Sequence, residues 1–433
     1  MIDVIVLGCG WSGIIFALEF KLRFPDADVV ILEKSEGVGG LLRSVSLHGH
    51  VFDIGGSHVI FSRNKDILNR MLLLLKDNSI KHFRNSYVRI NSSFVPYPLE
   101  NGLYALPQDE RAEALISFLE AWLSRSNCWR PRNLEEWIYS FFGKWIGDKY
   151  LIPYNKKVWK RPLDKIGVDW VYTPGRLPTP NWRDVVKSAF GIPTVGYPEQ
   201  NLFYYPMRGG IQALFDSALK EAQQLGVKVV NNVAALKIRR MSNEWVINGT
   251  FKAKRLVSTI PLKELVKALD APSDIVKASE ELEHNGVAVV GIALDKPAPR
   301  QHWIYVPNPD IIFHRYAWIS NYSPRNASSG RSTVIAEITL QPNTQINAEK
   351  ILEYAVEGLE RLGVIKWKEI LFTKVWLHEY GYPVYTIARD DKRKIINDWL
   401  NKHNIKSVGR WGSWHYWNMD KVYEKVLENI CNI

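Results

Sequence analysis

Four residues near the start of the chain have the types and spacing to hold a phosphate-bridged nucleotide. Gly8, Gly10 and Gly13 form a G-x-G-x-x-G set, and Glu33 follows 20 residues after the last of them. Gly8 permits a tight turn, Gly10 lets a pyrophosphate approach the backbone, and Gly13 lets a helix pack closely on a strand. Trp11 and Ser12 open that helix, whose N-terminus offers free N–H groups and a partial positive charge. A carboxylate at Glu33 accepts hydrogen bonds from a ribose diol. The chemistry predicted is dinucleotide binding.

Those residues must be positioned by a strand, a turn, a helix and a second strand. Residues 2–7 and 29–32 supply the two apolar runs. A second glycine-rich segment, Glu36-Gly37-Val38-Gly39-Gly40, allows another close backbone approach and leads into Leu41. Residues 64–80 read as helix and 87–90 as strand, while Leu115, Phe118, Leu119 and Trp122 fall at helical spacing, as do Leu134, Trp137, Ile138 and Phe141. Residues 173–206, rich in Pro, Gly and Asn, read as a long loop. An α/β pattern then returns, with a helix over 211–225 and strands at 227–230, 236–238 and 255–259. Residues 286–340 read as an antiparallel sheet. A strand near 407 ends in the glycine turn at Gly409 and Gly412, and a helix follows over 419–430.

Nucleotide-binding patterns at both ends of the chain, with other domains between them, disfavour a simple NAD dehydrogenase and favour FAD stretched across the molecule. The fold class predicted is α/β with three parts. Residues 1–85, 206–285 and 405–433 form a discontinuous Rossmann-like FAD-binding domain. Residues 100–190 form an inserted helical domain. Residues 86–99, 191–205 and 286–404 form an antiparallel-sheet substrate domain.

Composition narrows the partners. Hydrophobic content of 46% and charged content of 23% describe an ordinary globular protein. Lys and Arg exceed Asp and Glu to give a net charge of +11, which suits anionic ligands. No basic run or nucleic-acid motif accompanies it, so an anionic small substrate is the economical reading and no nucleic-acid partner is expected. Cys9, Cys128 and Cys431 are too scattered for a metal site and too few for a disulfide framework. The first residues form a strand and no apolar run approaches 18 residues, so no transmembrane segment and a cytoplasmic location are expected.

Several further segments resemble the UDP-galactopyranose mutase family, its eukaryotic-type branch more than the common bacterial one. They are residues 52–62 (Phe-Asp-Ile-Gly-Gly-Ser-His-Val-Ile-Phe-Ser), 95–98 (Val-Pro-Tyr-Pro) and 153–159 (Pro-Tyr-Asn-Lys-Lys-Val-Trp). To these are added 315–324 (Arg-Tyr-Ala-Trp-Ile-Ser-Asn-Tyr-Ser-Pro), 380–383 (Tyr-Gly-Tyr-Pro) and 409–416 (Gly-Arg-Trp-Gly-Ser-Trp-His-Tyr). They lie in family order over nearly the whole chain. The FAD parts are shared with protoporphyrinogen and amine oxidases and do not discriminate.

The resemblance implies interconversion of UDP-galactopyranose and UDP-galactofuranose, or of a related UDP-hexose, through a covalent link between reduced FAD N5 and the sugar. It implies Arg176 and Arg315 on the pyrophosphate, Tyr322, Tyr382 and Tyr416 donating to the same phosphates, and Tyr97 and Tyr305 sandwiching the uracil. Asn155 and Trp159 fall on the uridine side, His58 beside flavin N5, and Asn418 near the sugar. Lys34, Gly40, Leu41, Arg410, Gly412 and Met419 join the first-turn residues on the cofactor. Gly381 and Pro383 are expected to fix a turn that projects Tyr382. Two departures from the family pattern bear on the site: Leu99-Glu100 stands where eukaryotic-type enzymes carry Gln, and Ser57 is an extra residue before His58.

The partners implied are a UDP-sugar and an external reductant such as NAD(P)H; an oligomer is possible. Two other readings stay open: an FAD-dependent oxidoreductase of the protoporphyrinogen or amine oxidase type, and a non-catalytic flavin-bound paralogue.

Overall fold

The computed structural model describes residues 2–126, 130–172, 176–177, 179–194, 196–197, 201–345 and 347–430. Cys128 and Cys431 lie outside them.

The first apolar run forms β1 (Ile2–Leu7), the glycine turn leads into α1 (Trp11–Arg23), and the chain returns as β2 (Val29–Leu32). β1 pairs parallel with β2 on one side and with Phe251–Ser258 on the other. Lys228–Val230 extends the sheet beyond β2, and Glu244–Ile247 and Ile238–Met241 extend the opposite side. Ile405–Ser407, from the far end of the chain, pairs parallel with residues 256–258. Val4 and Val6 enter one apolar core while Ile5 and Leu7 enter another, which is why the strand reads as a continuous apolar run and does not alternate.

The second large sheet runs in the order Ile370–Pro383, His284–Leu294, Ser332–Leu340, Arg315–Trp318, Trp303–Tyr305, Ser86–Ile90, Ser93–Pro96. It is antiparallel except where Trp303–Tyr305 meets Ser86–Ile90. All 11 residues of His284–Leu294 are buried. The helices Gln108–Ser124, Leu134–Ile146, Ile152–Trp159 and Trp182–Ala189 lie between the first two strands of this sheet and its return. Phe118, Trp137, Ile138 and Phe142 fill a core of their own.

Three readings of local structure need correction. Within the span expected to be a loop, Trp182–Ala189 is a helix, started by the Asn181 side chain accepting from Arg183 N at 3.0 Å. Leu202–Pro206 is a strand paired with Ser79–Phe83, a tertiary pairing that local composition does not announce. The strand expected at 236–238 begins only at Ile238. Tyr382 belongs not to a turn but to the end of the strand Ile370–Pro383, where its register with His284–Leu294 shifts between Asn285 and Val287. Such a slip re-aims side chains next to a site.

No helix among the described residues is long and apolar enough to cross a membrane.

The closest approach around the first sheet is at Gly13, where an added Cβ would stand 2.0 Å from the carbonyl oxygen of Gly8. Gly13→Ala is therefore expected to lower unfolding stability by roughly 1–3 kcal/mol, the usual cost of overpacking. An unchanged denaturation midpoint would show that helix and strand can part at no cost.

Candidate functional site

The two sheets, the helices and the C-terminal segment enclose a cavity of about 730 Å³, within the usual span of about 300–1,000 Å³ for ligand pockets. Its floor is the first turn. Gly8 has φ +92°, Gly10 bridges Gly39, and Gly40 at φ +57° leads into Leu41. Gly10 stands at the N-cap of α1 with no side-chain cap, which leaves the first-turn N–H groups of Trp11 and Ser12 available to an anion. Glu33 lines the same floor with Lys34. Its Oε2 accepts from Cys9 N at 2.8 Å and its Oε1 from Ser35 N at 2.9 Å. The carboxylate is thus aimed, and each oxygen retains a lone pair for a ribose hydroxyl. Burial, together with the Glu33 charge, pushes the Cys9 thiol up to about 12.

Three arginines meet in the opposite wall. The guanidinium carbon of Arg176 lies 3.4 Å from the centroid of the Tyr416 ring, and that of Arg410 lies 4.5 Å from it. Arg176 Nη2 donates to Tyr416 O at 2.6 Å, Arg410 Nη2 to Gly381 O at 2.6 Å, and Arg410 Nη1 to Trp417 O at 3.2 Å. The Nε atoms of both are buried without a partner among the described residues, which carries the desolvation cost of an unsatisfied donor. Arg315 makes a two-point bond to Glu337, Nε to Oε1 at 2.9 Å and Nη2 to Oε2 at 2.7 Å. Burial raises the pKa of Glu337, but the Arg315 charge outweighs it and holds the carboxylate ionised. Burial also keeps Tyr382 protonated, far above the usual phenol value, so its hydroxyl is a donor.

His58 Nδ1 lies 2.8 Å from Gly56 O. A carbonyl only accepts, so Nδ1 carries the proton and Nε2 is left as an acceptor. Burial first, and the Arg410 charge second, push its pKa down to about 4, so the ring is neutral at neutral pH.

Most of the residues singled out from the sequence line this one cavity, Asn155, Trp159, Tyr305, Asn418 and Met419 included. Several do not stand as expected. Tyr322 has no exposed surface; its hydroxyl lies 2.6 Å from Ser57 Oγ, behind the wall. Gly13 and Gly412 are also off the wall. Gly412 is packed under the sheet, where an added Cβ would meet Ser258 O at 3.0 Å, and its carbonyl accepts from Ser407 Oγ.

Tyr97 and Tyr305 do not bracket a gap. Their centroids are 5.0 Å apart, and a base between them needs about 7 Å, two contact distances. Arg84 holds them so, 4.0 Å from the Tyr97 centroid and donating to the Tyr305 hydroxyl at 3.0 Å. The amide of Asn155 donates to Leu151 O and accepts from Trp159 Nε1, which leaves it one N–H. Glu100 is buried off the wall and accepts from the Tyr197 hydroxyl. Its replacement of Gln therefore does not place a carboxylate in the cavity.

Arg84, His314 and Glu337 also line the cavity and were not anticipated. Glu337 carried a signal, as a lone carboxylate in the apolar run Val334-Ile335-Ala336-Glu337-Ile338. His314 was detectable only as the neighbour of Arg315. No group of side chains able to hold a metal ion occurs among the described residues.

Comparison with known proteins agrees with this architecture. Residues 6–72 match the model of an NAD(P)-binding Rossmann-like domain. The structure resembles that of a reduced UDP-galactopyranose mutase, with a TM-score of 0.89 at 23% identity over 99% of this chain and 93% of that one. It also resembles a putative protoporphyrinogen oxidase from Exiguobacterium sp. 255-15, with a TM-score of 0.77 at 15% identity over 100% and 98% of the two chains. At these identities the likeness establishes the fold. A protein of Methanothermococcus thermolithotrophicus, described as an uncharacterized protein in the nifH2 3′ region, is 33% identical over 121 residues, which is 28% of this chain and 98% of that protein.

The buried imidazoles set an acid limit on the fold. Burial lowers His302 to about 4 and His314 to about 3, below an unfolded value of about 6.5. Between those values the unfolded chain binds more protons. Stability is then full above about pH 6.5 and is lost as pH falls toward 4, by up to about 1.4 kcal/mol per pH unit for each ring. Asp53, which burial raises to about 6, takes up its proton earlier in the folded state and offsets part of the loss. The expected Tm is level near neutrality and falls between about pH 6 and pH 4; a level Tm through that range would mean that the rings are charged when folded.

Proposed function

We propose that this chain, which belongs to one family with the Methanothermococcus protein and has the fold of UDP-galactopyranose mutase, is an FAD-dependent isomerase of a UDP-hexose. The observation that carries the reading is the meeting, in one cavity, of an uncapped helix N-terminus over a glycine turn with three arginines, two of which keep a buried, unpartnered Nε.

The floor fits FAD. Gly10 and Gly40 leave their Cβ positions to one another across a narrow gap, an added Cβ on Gly40 standing 3.4 Å from Gly10 Cα. Trp11 and Ser12 offer N–H groups to a pyrophosphate, and Glu33 is aimed for a ribose. Bound in its reduced form, the flavin supplies the nucleophile for the sugar's anomeric carbon, so no protein nucleophile is required.

The side chains supply the rest. Arg176, Arg410 and the Nη1 edge of Arg315 neutralise the charge that grows on a departing diphosphate. Tyr382 and Tyr416 offer hydroxyls beside them. His58, neutral and with Nε2 bare, accepts an N–H or O–H proton at the flavin edge of the cavity. Asn418, at the start of the last helix, faces the sugar. The aromatic wall of Tyr305, Tyr154 and Trp159 receives the base on an open face. Arg176 and Arg410, which have no ion-pair partner among the described residues, have no counterpart in the needs of an uncharged amine, which favours this reading over an amine oxidase. The reductant is taken from outside the chain, NAD(P)H being the natural donor.

Dithionite-reduced protein is expected to convert UDP-galactopyranose to the furanose form and oxidised protein is not; no conversion of any UDP-hexose by the reduced form would refute the proposal.

Arg176→Ala should weaken UDP binding by about 1.5–3 kcal/mol, roughly 10–150-fold, at little cost in stability. Arg315→Ala should do more, because it strands the Glu337 carboxylate, and a broken buried pair costs about 3–5 kcal/mol of stability. Calorimetry and chemical denaturation separate the two effects. Unaltered UDP affinity in the Arg176 variant would take that residue out of the site.

A further inference from the structure

Glu337 is about 1% exposed, and its two oxygens are divided between the cavity arginine and the loop that carries His58. Oε1 accepts from Arg315 Nε at 2.9 Å and also from Ser57 N at 3.0 Å. Oε2 accepts from Arg315 Nη2 at 2.7 Å, and the same Nη2 reaches the Ser57 carbonyl at 3.4 Å. Gly56, at φ +104°, lets the loop come this close; a Cβ there would stand 2.9 Å from Oε2. Gly56 O in turn takes the Nδ1 proton of His58. The hydroxyl of Ser57 lies 2.6 Å from that of the buried Tyr322, which anchors the residue before His58.

We propose that Glu337 is a positioning residue which, with Ser57, ties the orientation of Arg315 to that of the His58 ring. The assignment rests on the reading above, in which a diphosphate meets Arg315 and the flavin ring meets His58. An anion engaging Nη1 of Arg315 pulls on a guanidinium whose other edge is held by Glu337. The same Oε1 that would give way holds Ser57, one residue from His58. The redox state of the flavin, sensed at His58, and the affinity for UDP, sensed at Arg315, are then linked, each altering the other by the same factor.

The measurement is the UDP dissociation constant of flavin-loaded protein by calorimetry, in the oxidised and the dithionite-reduced state. Wild type should differ between the two states by roughly 5-fold or more. Glu337→Gln keeps the shape and removes the charge, and should bring the two constants within about 2-fold of each other. A merely structural defect lowers binding in both states alike and leaves the ratio where it was. A wild-type ratio of one, or a ratio that the substitution leaves unchanged, overturns the coupling. A wild type that binds UDP in neither state overturns the reading of the site instead. Should Glu337→Gln not retain flavin, Glu337→Asp keeps the charge but is one methylene too short to reach Ser57 N and the Arg315 guanidinium together, and must move the ratio in the same direction; no movement there also defeats the proposal.

Discussion

Asp53 is a carboxylate with no exposed surface, and the geometry of the cavity depends on how it is held. It accepts from Ser44 Oγ at 2.7 Å, from the Tyr205 hydroxyl at 2.9 and 3.0 Å, and from Ile211 N at 3.2 Å. Those donors come from a hairpin, from the strand Leu202–Pro206 and from the approach to the helix Gln212–Gln224. One side chain thereby closes its own hairpin at Ser44 and pins it to residues 205 and 211, more than 150 positions further along the chain. Burial works to protonate it while the donors favour the ionised form. The chain leaves this anchor through Gly55, where an added Cβ would stand 2.1 Å from Leu41 O, and reaches Glu337 at Ser57. A short loop fixed near both ends by buried carboxylates holds His58 at the cavity wall without its belonging to a helix or strand.

The arginines divide into two kinds by what balances them. Arg176 and Arg410 are held by carbonyl oxygens and by the face of Tyr416, and neither makes an ion pair with a carboxylate among the described residues, although Asp420 lies near enough to feel the Arg176 charge. Arg315 faces Glu337 and is close to neutral as a pair. The first two attract an anion; the third fixes where its edge must lie. A site built from three unpaired cations would repel itself, and one built from three ion pairs would hold little attraction for a diphosphate.

What the sequence made legible follows from the range of the forces involved. The βαβ unit was readable because glycine spacing and apolar runs are local; Arg315 and Arg410 lie in two of the recognisable segments and Arg176 in the Pro-rich stretch ahead of both, and all three line the cavity. The pairings that finish the site are not local. Glu337 meets Ser57 across 280 residues and Arg84 meets Tyr305 across 221, and nothing in either neighbourhood states the partner. Tyr322 and the Tyr97–Tyr305 pair were misplaced for this reason. Their identity suits the role expected of them, but Ser57 claims the first hydroxyl and Arg84 closes the gap between the others. The helix Trp182–Ala189 was hidden by a flanking composition of Pro, Gly and Asn, although Asn181 carried its start signal.

The sheet that carries the glycine turn is completed by Ile405–Ser407, and the segment just after it seals the floor. Gly409, at φ +85°, lies so close to α1 that an added Cβ would stand 2.1 Å from Ser12 Oγ. Trp11 Nε1 donates to Met419 O at 3.0 Å, and the Tyr423 hydroxyl donates to Glu19. During synthesis, then, the turn that grips the nucleotide leaves the ribosome early but stays open along one flank until the far strand and helix have emerged. The first turn is thereby complete only when both ends of the chain are in place, and a chain cut short before residue 405 would carry the glycine fingerprint without this flank.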